Sequence, residues 1–156
     1  MYENILVPLD GSKMSETVLP FIEDILSKLS PDVEKEITLL QVLSDRETIY
    51  NAGGEYSETR LILEKKEELH NKAKEYLNRV GETLRGKEAS VTPKVVFGIP
   101  AEEIVKAADE VGANLIAMST HGHSGIVHWT FGSVTDKVLR HEESVPVLVV
   151  RALKKA

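Results

Sequence analysis

Leu115-Ile116-Ala117-Met118 runs into Ser119-Thr120-His121-Gly122-His123-Ser124-Gly125-Ile126-Val127-His128-Trp129-Thr130-Phe131-Gly132-Ser133, and Val134–Arg140 follows with helical spacing. An apolar run of this kind reads as a buried strand. It feeds a loop of small residues that ends where a helix begins. A helix start carries unsatisfied N–H groups and the positive end of the helix dipole, so the loop is a candidate anion site, for phosphates above all. Gly122, Gly125 and Gly132 are expected to permit positive φ and close approach of a ligand. Ser133 is expected either to donate its hydroxyl to that ligand or to cap the helix. A plain strand-to-helix connection with capping chemistry accounts for the same residues, and both readings stay open at this point.

Working outward, strands and helices alternate along the whole chain. Tyr2–Leu9 reads as a strand through Ile5, Leu6 and Val7. Ser15–Leu29 reads as a helix with Ser15 as N-cap; Pro20 calls for a late start or a kink. After a polar turn at Ser30–Glu36 comes a strand, Ile37–Leu43. Ser44–Thr59 lacks periodicity and is read as a long loop. Arg60–Gly81 is an amphipathic helix whose Glu and Lys residues form a solvated face; Gly81 is its expected interruption or end. Val91–Phe97 is a strand that Pro93 assigns to a sheet edge, because proline cannot donate to the ladder. Ala101–Val111 is a helix with Pro100 at its start, Leu115–Ser119 a strand, Ser133–His141 a helix and Pro146–Arg151 a last strand. The final five residues read as a polar tail. The pattern β-α-β-α-β-α-β-α-β predicts a single-domain α/β fold over residues 1–156, with an open five-stranded parallel sheet and helices on both faces. In such sheets ligands bind beyond the carboxyl ends of the strands. Asp10, in Pro8-Leu9-Asp10-Gly11-Ser12, lies at that position; a helix cap is its alternative role.

Composition narrows the function classes. Of 156 residues, 42% are hydrophobic and 28% charged, a globular balance, with formal net charge −6. That charge disfavours a non-specific partner among nucleic acids or anionic membranes. The absence of cysteine excludes disulfides, thiolate catalysis and cysteine-ligated metals. No transmembrane stretch or signal segment is read, and the expected location is cytoplasmic. His121, His123, His128 and His141 match no standard zinc spacing. Trp129 and Phe131 are read as core or subunit contacts. Ser12-Lys13-Met14-Ser15, which is similar to a loop of class I tRNA synthetases, stands in the wrong place for that role.

Four segments together resemble the universal stress protein family, in its ATP-binding branch, over essentially the whole chain: Ile5–Ser12, Phe97–Ile104, the glycine stretch, and Ser133–His141 with Pro146–Val150. The glycine stretch resembles the family motif G-x2-G-x9-G-[S/T]. Gly122, Gly132 and Ser133 fill it, and Ser119 replaces its first glycine. The resemblance implies a Rossmann-like sheet of order 3-2-1-4-5. It places Pro8, Leu9 and Asp10 on the ribose and adenine side and the Val42 backbone at adenine. It makes Gly98–Pro100 and Met118 walls, sets Gly122, Gly132, Ser133 and Val134 around the phosphates with Ser119 at the motif's first position, and leaves His121 or His123 either at the phosphate mouth or facing water. ATP (or ADP or AMP) with Mg²⁺ or Mn²⁺ is the implied cofactor, with Asp10 reaching the metal. A homodimer through strand 145–151 and an unidentified downstream protein are the implied partners. Three functions are weighed: a nucleotide-holding stress-response switch or sensor, a slow ATP hydrolase, and a nucleotide-free dimeric scaffold. No lysine lies between Gly122 and Ser133, which favours the first.

Overall fold

The computed structural model describes residues 2–54, 58–86, 88–120 and 132–152. Five strands, β1 (Asn4–Pro8), β2 (Glu36–Leu43), β3 (Ser90–Phe97), β4 (Leu115–Ser119) and β5 (Val147–Val150), form one sheet in the order β3-β2-β1-β4-β5, every pair parallel. Parallel neighbours require crossovers, and helices supply them: α1 (Leu19–Lys28), α2 (Asp45–Asn51), α3 (Thr59–Arg85), α4 (Pro100–Glu110) and α5 (Ser133–His141).

Strand alternation divides the core in two. Ile5, Val7, Ile37 and Leu39 pack with Ile22 and Leu26 of α1 and Leu77 and Leu84 of α3. Leu6, Leu40, Ile116 and Met118 turn to the other face and pack with Ile104 and Ala108 of α4 and Val138 of α5. Both faces are covered, which is why these strands are apolar runs. Each fully buried Leu or Ile contributes about 1.5–3 kcal/mol of transfer free energy. Pro93 sits on β3, a sheet edge, as its missing N–H requires.

Four local expectations are corrected. The stretch Ser15–Val18 is a 3-10 turn, and α1 starts at Leu19 with Pro20 in its first turn, so the late start accommodates the proline. Ser15 does not cap: its hydroxyl donates to Ser12 O at 2.8 Å. Residues 44–59 are not all loop. Ser44 caps α2 by accepting the Glu47 N–H, and Thr48 Oγ1 donates back to Ser44 O at 2.8 Å. Finally, α3 does not stop at Gly81. It continues to Arg85 because Val80, Gly81 and Leu84 share its buried face. A Cβ on Gly81 would stand 3.1 Å from Val91 Cγ1 and 3.5 Å from Leu39 Cδ1, so the missing side chain lets helix and sheet approach. Of the expected polar tail, Ala152 is buried, with its N–H donated to Thr120 Oγ1 at 3.2 Å; residues 153–156 lie outside the described residues.

Candidate functional site

The sheet splits at its carboxyl end. Pairing of β1 with β4 ends at Leu6↔Ile116, while β1 stays paired with β2 to Pro8↔Leu40 and β4 with β5 to Ser119↔Val150. Connections leave β1 toward β2 and β3 on one side and return to β4 and β5 on the other, so this split is the topological switch point. A cavity of about 530 Å³ opens there, within the size range of small-molecule sites.

One wall is the turn after β1. Leu9 N–H donates to Leu40 O at 2.8 Å, and the chain then turns through Gly11 at φ 87°, a left-handed conformation glycine adopts without strain. Asp10 Oδ1 accepts the Ser12 N–H at 2.8 Å, and Ser15 Oγ accepts the Asp10 N–H at 3.3 Å. Asp10 therefore shapes its own turn and does not cap the helix that follows. Behind this wall Tyr76 of α3 donates its hydroxyl to Glu16 Oε2 at 3.1 Å. Burial first, and the Glu16 carboxylate second, push that hydroxyl above the ordinary tyrosine range.

The opposite wall is the start of α5. Gly132 N–H donates to Thr120 O at 2.6 Å and Thr135 Oγ1 donates to Ser119 O at 2.9 Å, both pinning the helix start to the end of β4. Thr120 also holds β5, through its N–H to Val150 O at 2.9 Å. The N-cap of α5 is Gly132, and no side chain among the described residues caps the helix. Its first-turn residues Ser133, Val134 and Thr135 line the cavity, and N–H groups at that position have no acceptor within the helix. Ser133 is exposed and does not cap. Gly132 has φ −53°, open to any residue, so the positive φ expected there is absent.

The third side is β2. Leu43 O accepts the N–H of Gly98, the residue after β3, so by strand alternation the N–H and C=O of Val42, which lines the cavity, point the other way, toward the end of β1. Of the residues singled out in the sequence, Pro8, Leu9, Asp10, Val42, Met118, Ser119, Gly132, Ser133 and Val134 line it. Gly98 does not; Pro100 lines the cavity at that side. At φ 154°, Gly98 makes room for Glu103, whose Oε1 lies 2.8 Å from where a Cβ would stand. His121, Gly122 and His123 fall outside the described residues, as do Gly125, His128, Trp129 and Phe131. Sequence reasoning missed Gln41, Glu47, Thr120 and Thr135, which also line the cavity. Ser44-x-x-Glu47 was a legible helix-start signal; the bonds of Thr120 and Thr135 are tertiary. Among the described lining residues none is lysine or arginine, so donors to an anion are main-chain amides and hydroxyls. No group of three potential metal ligands occurs among the described residues.

The model of the Universal stress protein family matches residues 1–151. The chain belongs to the universal stress protein family. Universal stress protein MJ0577 of Methanocaldococcus jannaschii is 32% identical over 160 residues, covering 97% of this chain and 96% of the relative. The solved structure of MJ0577 aligns with a TM-score of 0.82 at 30% identity over 99% of both chains. A universal stress protein from Archaeoglobus fulgidus, solved in complex with dAMP, aligns at TM-score 0.59 and 24% identity over 95% and 97% of the two chains. Another, solved in complex with cAMP, aligns at 0.63 and 21% over 97% and 98%. These last two share the fold with this universal stress protein. No helix among the described residues is long and apolar enough to cross a membrane.

Proposed function

We propose that this universal stress protein holds an adenine nucleotide, ATP or its ADP or AMP products, across the split between β1 and β4, and acts as a dimeric stress-response switch or sensor. One observation carries the reading: the start of α5, which no described side chain caps, and the Asp10 turn line one cavity large enough for a nucleotide. First-turn amides of α5, with the Ser133 hydroxyl, suit the phosphates. The outward N–H and C=O of Val42 offer a donor and an acceptor to the edge of a base. Relatives of the same fold solved with dAMP and cAMP add support.

The residues also fit a divalent cation carried by the nucleotide. Asp10 and Glu47 put carboxylates on the cavity wall, and Mg²⁺ or Mn²⁺ takes carboxylate and phosphate oxygens. Such an ion would offset phosphate charge; Asp10 would orient it from the ribose side. Among the described lining residues there is no lysine or arginine to stabilise a transferring phosphoryl group, so the chain is read as a holder of nucleotide with at most slow hydrolysis. The expected assembly is a homodimer through residues 145–151, in the cytoplasm, with residues 1–156 as a single domain and a downstream protein reading the bound state.

A thermal melt tests the reading. At one hundred times Kd a ligand selective for the native state adds about 2.7 kcal/mol, which raises Tm by roughly 5–10 °C for a chain of this size. A melt that stays flat at millimolar ATP and Mg²⁺ would overturn it and leave the nucleotide-free scaffold.

A further inference from the structure

Gln41 interrupts an apolar strand face. Leu39 and Ile37, two and four residues earlier on the same side of β2, are fully buried. Gln41 continues that face into the cavity, where its Oε1 is buried without a hydrogen-bond partner. The amide makes no hydrogen bond to any described residue. A leucine would extend the apolar series at no such cost, since a buried carbonyl left without a donor is expensive. The other end of the amide, Nε2, lies 3.7 Å from the point a Gly11 Cβ would occupy, beside the Asp10 turn.

The cavity is thus chemically polarised. Main-chain donors of α5 stand on one side. On the other, Asp10 and the Gln41 amide, which offers both a donor and an acceptor, line the same cavity. The terminal torsion of a glutamine is soft, so a half-turn presents either end. A molecule complementary to both sides carries an anionic group at one end and neighbouring hydroxyls at the other. Ribonucleotides have that form, with phosphate and a vicinal diol.

We propose that Gln41 is a specificity-determining residue that reads the sugar, favouring ribose over 2′-deoxyribose. This rests on the nucleotide reading of the cavity. A site built to hydrogen-bond a hydroxyl rejects the analogue lacking it, because its own polar groups are then left unpaired. The expected preference is about ten-fold in Kd, equivalent to 1.4 kcal/mol.

Isothermal titration of the full chain with Mg²⁺-ATP and Mg²⁺-2′-deoxy-ATP tests this. The wild type should bind ATP about ten-fold more tightly than the deoxy analogue. Gln41→Leu should bring the two affinities together by weakening ATP alone, and its ligand-free Tm should not fall. Gln41→Met serves as a second variant should the leucine fold poorly. Equal affinities in the wild type, or equal weakening of both nucleotides in the variants, would overturn the sugar-reading role while leaving the nucleotide site standing. If neither nucleotide binds the wild type, both the site reading and this inference fall.

Discussion

Thr135→Val is the substitution that most directly tests how the site is assembled. The two side chains are nearly isosteric, and Thr135 is 3% exposed, so the packing of α5 is preserved. What disappears is the hydroxyl that donates to Ser119 O at 2.9 Å, across 16 residues of chain and the whole intervening loop. A net intramolecular hydrogen bond contributes about 0.5–1.5 kcal/mol, and burial of the acceptor puts this one at the upper end. Taking about 1.5 kcal/mol, Tm should fall by roughly 3–6 °C in a chain of this length. Because that bond ties the first turn of α5 to the end of β4, its loss also frees the amides proposed to receive phosphate. ATP affinity should drop severalfold beyond what the stability loss explains. Circular dichroism melts with and without Mg²⁺-ATP, together with titration calorimetry, separate the two effects. Thr135→Ser retains the hydroxyl and should restore affinity even though it gives up a buried methyl group. A valine variant with a wild-type melt, or a serine variant as weak as the valine one, would refute the tether.

Val149→Pro addresses the assembly. Thr120 donates to Val150 O and Ile116 to Pro146 O, so by alternation the N–H of Val149 points away from β4, off the sheet edge. If the proposed dimer forms through this strand, proline there should keep the fold and give a monomer in light scattering where the wild type gives a dimer; a persisting dimer would move the interface elsewhere. Gly11→Ala meets only Gln41 Nε2, at 3.7 Å, so its cost is the strain of φ 87°, about 1–2 kcal/mol; urea denaturation should show a lowered midpoint with unchanged slope. Alkaline pH should destabilise the protein through Tyr76. Its hydroxyl is raised in the folded state from an ordinary value of 10.0. The unfolded chain therefore loses that proton first, and the stabilisation present below pH 10 fades as pH rises above it. Tyr76→Phe should flatten this part of the stability profile, followed by chemical denaturation across pH; an unchanged profile would remove Tyr76 from it.

The fold was legible where one physical cause dominates. Strands covered on both faces must be apolar throughout, and Ile5–Val7, Leu115–Met118 and Val147–Val150 say so in the sequence. Pro93 marked its edge through a missing N–H. The order of the strands was not readable from periodicity and came from family resemblance. Helix α2 escaped because seven residues leave little room for an amphipathic period, and only its Ser44 cap announces it. Gly81 and Gly98 escaped for a different reason: a side chain at Gly81 would meet Val91, a partner brought in by the tertiary fold, and Gly98 holds φ 154° beside Glu103. The site divides along the same line. A cradle made of main-chain amides needs small residues around it, and small residues are visible as a motif. The side chains that hold such a cradle in place need only reach a carbonyl, and nothing in their neighbourhood reveals which one. Thr120 and Thr135 read as ordinary polar residues until β4, β5 and α5 are brought together. Gln41 is the exception that was in plain view, a lone amide in Leu39-Leu40-Gln41-Val42-Leu43. Burial of the other side chains on that face makes its polarity costly, and that cost, in a cavity wall, is what the proposed contact with a ligand would offset.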